Sequence, residues 1–188
     1  KGNVIDPLGV IDLYGADSLR MALVFGTSPG RDVIISEDKI ISQRKFTNKI
    51  WNATRFILGQ IGNSKFQNPK LKLKTQSLTK ADKKILKALD KTVKLVTKNL
   101  DDFQFHEAAQ NSYHFFWHEF CDYYIEESKK QFQTPNIKYQ TANVLLYVLL
   151  TSLKLLHPFM PFITEEIYQK LPLENKKKCL MVEQWPKI

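Results

Sequence analysis

The sequence is poor in cysteine and glycine, and it has no long uninterrupted hydrophobic run. Its 188 residues include two cysteines and seven glycines. Cys121 and Cys179 lie far apart and match no metal-ligand or redox spacing, which favours reduced thiols in a cytoplasmic protein. The most apolar stretch, residues 142–156, is interrupted by Asn143 and Lys154. It is therefore too polar for a membrane-spanning helix, and we expect no membrane association.

Patterns typical of an active site or a metal site are also missing. His114 and His118 have the helical i, i+4 spacing of a two-histidine metal site, but no third ligand accompanies them. A packed or hydrogen-bonded histidine pair is the better interpretation, with a bound zinc as the alternative. Glu165 and Glu166 are adjacent and point to different sides of a helix. Residues 26–30 form a turn and lack the spacing of a phosphate-binding loop. The sequence predicts no catalytic residue, metal ligand or cofactor site.

Acidic residues are scarce in one part of the chain, and this makes the charge distribution uneven. The net charge is +9, from 28 Lys and Arg against 19 Asp and Glu. Residues 39–98 contain sixteen basic and two acidic side chains, whereas residues 99–128 contain seven acidic side chains and no Lys or Arg. A polyanion is a natural partner for the basic part, because neutralising phosphates releases counterions. A lysine-rich surface that only faces solvent is equally compatible with charge alone.

The hydrophobic pattern predicts an all-α protein, an antiparallel helix bundle preceded by a small mixed α/β element. N-cap residues at Asp6, Ser36 and Thr79 mark three of the helix starts. The helices are expected at residues 7–14, 16–25, 37–61, 80–100, 105–132, 138–156 and 161–171. Short strands are expected at residues 32–35 and 179–182, and a Lys-rich loop at residues 64–76.

The helix predicted after Ser36 carries the most informative pattern. One face is apolar and is formed by Phe46, Ile50, Ala53, Ile57 and Ile61. Roughly opposite lie Lys45, Lys49, Asn52 and Phe56, flanked by Arg44, Asn48 and Arg55. Ammonium groups neutralise phosphate, an amide pairs with a base edge, and a ring stacks on an unstacked base, so this face suits single-stranded RNA. The alternative is that Phe56 belongs to the core and the other side chains face solvent.

Six segments in order along the chain resemble class I aminoacyl-tRNA synthetases, and the last four point to the valyl-tRNA synthetase branch. The segments are Lys1-Gly-Asn-Val-Ile-Asp-Pro7, Tyr14-Gly-Ala-Asp-Ser-Leu-Arg20, Gly26-Thr-Ser-Pro-Gly-Arg-Asp32, Phe46-Thr-Asn-Lys-Ile-Trp-Asn-Ala-Thr-Arg-Phe56, Glu119-Phe-Cys-Asp-Tyr-Tyr-Ile-Glu126 and His157-Pro-Phe-Met-Pro-Phe-Ile-Thr-Glu-Glu166. They cover nearly the whole chain, and the Lys-rich stretch at residues 64–78 has no clear counterpart.

This resemblance implies a cytoplasmic, monomeric valine–tRNA ligase that uses ATP and Mg²⁺ to join valine to its tRNA. Residues 1–35 would be the end of the catalytic core with a stem-contact remnant, residues 36–171 the anticodon-binding bundle, and residues 172–188 a C-terminal tail. Carried over by position, the residues that face the anticodon loop of valine tRNA are Lys49, Asn52 and Phe56, with Arg44, Lys45, Asn48 and Arg55 as weaker additions.

The family's catalytic motifs have no counterpart in this sequence. The histidine motif of the nucleotide-binding half, the lysine-bearing catalytic loop and the editing insertion are all missing. The chain alone is therefore expected to be inactive. Two alternatives stay open: the same domain of an isoleucyl-type synthetase, since Arg55-Phe-Ile-Leu-Gly59 also resembles that branch, or a basic helical module that binds an acidic protein.

Overall fold

The structure is a computed structural model that describes residues 6–26, 30, 35–62, 78–174 and 176–187. Every element of regular secondary structure in these ranges is a helix, which confirms the predicted all-α class. The elements are α1 (Pro7–Tyr14), α2 (Ala16–Val24), α3 (Glu37–Ile61), α4 (Lys80–Asp101), α5 (Phe105–His114), a π-helical segment (Phe115–Ile125), α6 (Glu126–Gln131), α7 (Pro135–Leu156), α8 (Pro161–Lys170) and a 3₁₀ turn (Leu180–Val182). The Lys-rich loop and all but Ile35 of the first predicted strand lie outside the described residues.

The helix ends follow the capping signals of the sequence. The side chains of Asp6 and Ser36 accept hydrogen bonds from backbone N–H groups in the first turns of α1 and α3. Thr79 and Asp82 form a reciprocal capping box at the start of α4. Gly15 separates α1 from α2 with a φ of 86°, a conformation that strains any residue with a Cβ atom. These helix boundaries could be predicted from the sequence because each cap is a local interaction.

Two expectations about the last third of the chain are wrong. Helix α7 begins at Pro135, three residues before the predicted start, because proline fits the first helical position. The tail forms a 3₁₀ turn rather than a strand. The backbone N–H of Leu180 donates to the carboxylate of Glu165 on α8 at 2.8 Å. This side-chain partner satisfies the N–H that a strand would pair with a neighbouring strand.

The predicted third long helix is continuous, but its central eleven residues are π-helical. A π-helix has i→i+5 hydrogen bonds and a wider turn, so residues four apart stand nearly in line. Phe116, Phe120 and Tyr124 form such a column in the core, with ring centroids 5.5 and 6.4 Å apart. The exposed side chains of His118 and Asp122 form a second column. The π-helical segment therefore fixes which side chains face α3.

One apolar core is shared by α3, α4, α7, α8 and the continuous helical stretch that consists of α5, the π-helical segment and α6. The five apolar residues predicted for α3 are all buried in it. Each fully buried large side chain contributes about 1.5–3 kcal/mol to stability. A smaller cluster of Leu19, Ala22 and Ile40 joins α2 to the start of α3.

Polar contacts fix α2 against the start of α8. The buried carboxylate of Asp17 accepts hydrogen bonds from the backbone N–H groups of Phe162 at 3.2 Å and Ile163 at 2.6 Å. The guanidinium of Arg20 donates to the carbonyls of Pro158 at 3.1 Å and Phe159 at 3.3 Å. The carboxylate lies at a helix N-terminus, where the helix dipole favours negative charge. These hydrogen bonds anchor α2 to the bundle.

Acidification is expected to destabilise the bundle through His157. Burial lowers the pKa of this half-buried imidazole below its ordinary 6.5, and its Nδ1 lies 2.8 Å from the Thr164 hydroxyl. Below pH 6.5 the unfolded chain therefore binds a proton that the folded chain resists, so the unfolding free energy falls as pH drops. Urea titrations at pH 7.5 and 5.5 measure this loss. The His157→Gln variant should lose less stability over that range; an identical loss would exclude His157 as the source.

Candidate nucleic-acid interface

The seven predicted site residues lie on one side of α3. At about 100° per residue, they fall within a sector of about 140° on the helix. Arg44, Lys45, Asn48, Asn52 and Arg55 are exposed to solvent, whereas Lys49 and Phe56 are half-buried. Lys49 and Phe56 stand at the edge of this sector nearest to the apolar stripe. The face therefore combines five exposed polar or charged side chains with two that are partly covered by the bundle.

Lys49 is held between two side chains of the π-helical segment. Its ammonium lies 2.9 Å from the Asp122 carboxylate and 5.0 Å from the centroid of the Trp117 ring. The side chains of Lys49 and Asp122 are 34% and 44% exposed, and a pair so exposed contributes only about 0–1 kcal/mol. A phosphate group can therefore compete with Asp122 for the ammonium, while Trp117 keeps the side chain oriented.

The Phe56 ring lies at the border between core and surface. It packs against the main apolar core, and the Lys129 ammonium lies 5.6 Å from its centroid. Lys129 also contacts the Glu126 carboxylate at 2.7 Å. An aromatic ring held from behind, with a cation beside it, is suited to stack on a base and neutralise its phosphate. The packing of Phe56 against the core fits part of the core alternative, and its stacking role stays a prediction.

Arg44 differs from the other predicted site residues because it contacts α1. Its guanidinium donates to the Leu13 carbonyl and lies 5.9 Å from the centroid of the Tyr14 ring. The Tyr14 hydroxyl in turn donates to Glu37 at the start of α3. These contacts join α1 to α3, so Arg44 already has a structural role. Its role in binding RNA stays a prediction.

The two histidines of the possible metal site lie side by side on the surface. The ring centroids of His114 and His118 are 5.0 Å apart, and His118 Nδ1 lies 3.2 Å from an Asp122 carboxylate oxygen. No group of three or more His, Cys, Asp and Glu able to hold a metal ion occurs among the described residues. His118 and Lys49 share the Asp122 carboxylate, so His118 adjoins the predicted face of α3.

Sequence reasoning missed the partners that the other helices contribute to this face. Asp122 and Trp117 come from the π-helical segment, and Lys129 comes from α6. Each lies more than sixty positions from its contact on α3, so no local spacing connects them. Asp122 lies in the segment from Glu119 to Glu126 that carries the family resemblance, whereas Trp117 and Lys129 lie outside it.

A protein-family model matches the larger part of this bundle. The model of the family described as the anticodon-binding domain of tRNA ligase matches residues 82–188, more than half of the chain. The chain belongs to this family. Membership in this family supports tRNA as the partner of the bundle.

Curated relatives extend the similarity of this anticodon-binding domain over its whole length. It is 46% identical to a valine–tRNA ligase of Fervidobacterium nodosum, 44% to that of Thermotoga maritima and 43% to that of Bacillus cereus. Each alignment covers 100% of this chain and 21% of the relative. The chain thus spans about a fifth of the length of these ligases.

Solved structures support the same fold. The chain matches the LeuRS–tRNA–LeuAMS ternary complex of Agrobacterium radiobacter K84 with a TM-score of 0.77 and 22% identity, over 100% of this chain and 21% of that one. It matches a methionyl-tRNA synthetase of Mycobacterium tuberculosis in complex with methionyl-adenylate with a TM-score of 0.68 and 18% identity, over 89% of this chain and 34% of that one.

In the described part of the chain, no helix is both long enough and apolar enough to cross a bilayer.

Proposed function

We propose that this chain binds the anticodon loop of valine tRNA and contributes tRNA recognition to a valine–tRNA ligase. The observation that carries the proposal is the outward face of α3, which places two ammonium groups, an amide and an aromatic ring in one row. The domain belongs to an anticodon-binding family, and its curated relatives are valine–tRNA ligases along its whole length. These relatives favour valine over isoleucine as the amino acid of the parent enzyme.

Each side chain of the row has a distinct role in the proposal. Lys49 exchanges Asp122 for a backbone phosphate, Asn52 pairs with a base edge, and Phe56 stacks on an unstacked base. Lys45, Asn48 and Arg55 add contacts from exposed positions, and Arg44 adds one only if it releases Leu13. An exchange of this kind fits a surface that must release its RNA after each reaction.

The chemistry of the parent enzyme takes place outside this domain. Attachment of valine uses ATP and Mg²⁺, and the described residues offer no cluster fit to hold Mg²⁺. In this proposal the 188 residues alone are inactive in aminoacylation and act by binding tRNA. In this proposal residues 1–35 connect to the catalytic core, residues 36–171 bind the anticodon loop and residues 172–188 form a tail. The protein acts as a cytoplasmic monomer.

A titration of the chain against transcribed tRNAs tests this function. We expect valine tRNA to bind more tightly than the same transcript with its central and third anticodon bases changed, by about 1–3 kcal/mol per base. An isoleucine tRNA should bind like the altered transcript. Equal binding of all three at near-physiological salt would contradict anticodon recognition and leave only a basic surface.

In the Lys49→Ala variant, the slope of log K against log salt should shrink by about one.

A further inference from the structure

A groove lies where α3 ends and α7 begins. Its volume is about 240 Å³, and its lining includes Gln60, Ile61, Phe132, Lys138, Tyr139 and Ala142. None of these residues belongs to the predicted RNA-binding row. The groove is therefore a second feature of the same end of the bundle, and its chemistry can be judged separately.

Two helical spacings place the groove next to Phe56. Gln60 follows Phe56 by four residues on α3, and Phe132 follows Lys129 by three residues at the end of α6. The Phe56 ring and the Lys129 ammonium are themselves in contact distance, at 5.6 Å. Residues three or four apart are neighbours on one helix face, so both helices reach the groove one turn beyond Phe56.

The groove has an apolar floor and a polar rim. Ile61 and Ala142 are buried, and the ring of Phe132 is half-buried. The rim carries the exposed amide of Gln60, the exposed ammonium of Lys138 and the ring of Tyr139, which is 53% exposed. An apolar slot with an aromatic wall, one amide and one cation matches the needs of a nucleobase: stacking, an edge contact and a phosphate partner.

We propose that this groove binds one unstacked base of the anticodon loop, adjacent to the base that stacks on Phe56. The inference rests on the proposed function. One helical turn rises about 5.4 Å, a step that neighbouring nucleotides span once they are pulled apart from their stacked spacing of about 3.4 Å. Tyr139 supplies the stacking surface, Gln60 contacts the base edge and Lys138 neutralises the phosphate.

Size and charge favour a base over a protein side chain as the occupant. The volume is below the range of about 300–1,000 Å³ typical of sites for drug-sized ligands, so it suits a single planar ring. The ammonium of Lys138 is exposed at the rim of the groove, and the chain carries a net charge of +9. A phosphate-linked ligand gains from this field, whereas an apolar side chain of a protein does not.

A set of synthetic RNAs tests the inference. The probe is the anticodon stem-loop of a valine tRNA, together with versions in which one loop base at a time is replaced by an abasic ribose. Affinities are measured for the 188-residue chain and for the variants Tyr139→Ala, Gln60→Ala and Phe56→Ala. Phe162→Ala is the matched control, because it removes an exposed ring of α8, which does not line the groove. Circular dichroism confirms that each variant is folded.

Tyr139→Ala is expected to weaken binding of the intact stem-loop about tenfold, and Phe162→Ala to leave it unchanged. At one loop position the abasic RNA should abolish this tenfold difference, and that position should differ from the one that abolishes the effect of Phe56→Ala. The groove inference would be refuted if Tyr139→Ala bound every RNA as tightly as the unchanged chain while Phe56→Ala bound weakly. The proposed function would then still stand. A chain that binds none of the RNAs would refute both the proposed function and the groove inference that rests on it.

Discussion

Replacing Phe56 by alanine should weaken binding of valine tRNA about tenfold or more. Removal of an aromatic ring that stacks on a single-stranded base costs about 1–3 kcal/mol. The effect should exceed that of any single charged residue of α3, because the exposed lysines and arginines act mainly through screened electrostatics. Fluorescence anisotropy with a labelled transcript at near-physiological salt measures the change, and the loss should be similar at low and high salt.

The control for this prediction separates stacking from packing, since Phe56 also contacts the core. Leu58 is another half-buried residue of α3 that packs against the core, but it lies on a different face. Leu58→Ala should lower the unfolding free energy without changing the affinity of the folded chain for tRNA. Phe56→Trp should bind tRNA well, and Phe56→Leu should bind it poorly. Full binding by Phe56→Leu would show that the ring acts only as a core residue.

Most of the helical framework could be predicted from the sequence because it depends on local signals. The apolar stripe of α3 fixed its buried face, and the caps at Ser36 and Thr79 fixed the starts of α3 and α4. These interactions join residues within one or two turns. The row from Lys45 to Phe56 was visible for the same reason, since helical spacing determines which side chains share a face.

The contacts between helices could not be predicted in this way. The pairing of Lys49 with Asp122 requires both the packing of the π-helical segment on α3 and the register of that segment. A π-helix shifts every following side chain relative to an α-helix, and the sequence pattern carries no clear mark of it. The groove at Tyr139 depends on the early start of α7 at Pro135. Both features belong to tertiary structure.

Two segments that carry the family resemblance contact each other in the fold. Asp17 belongs to the second segment and accepts hydrogen bonds from Phe162 and Ile163 of the last one. Arg20 donates to the carbonyl groups of Pro158 and Phe159 beside them. These motifs therefore hold α2 on the bundle. Resemblance alone does not separate residues that support the fold from residues that face the tRNA, whereas the contacts do.

Tyr124→Phe should lower the free energy of unfolding by about 2–3 kcal/mol, the usual cost of losing a buried hydrogen bond to a charged group. The Tyr124 hydroxyl donates to the Asp82 carboxylate at 2.6 Å, and both side chains are buried. The other carboxylate oxygen accepts from the Thr79 backbone N–H at 2.9 Å. The hydroxyl thus joins the π-helical segment to the cap of α4. Denaturation in urea, followed by circular dichroism, measures the loss.

Two comparisons show whether the hydrogen bond itself is responsible. Tyr123→Phe removes the hydroxyl of the neighbouring residue, which is half-buried, and should change stability by less than about 0.5 kcal/mol. Asp82→Ala should destabilise the chain because the Thr79 backbone N–H and the Tyr124 hydroxyl both lose the carboxylate that accepts their hydrogen bonds. The double variant with Tyr124→Phe should lose less than the sum of the two single changes, because neither the Tyr124 hydroxyl nor the Asp82 carboxylate then remains without the other. Strict additivity would mean that the bond between Tyr124 and Asp82 contributes nothing, and that α4 is held on the π-helical segment by apolar packing alone.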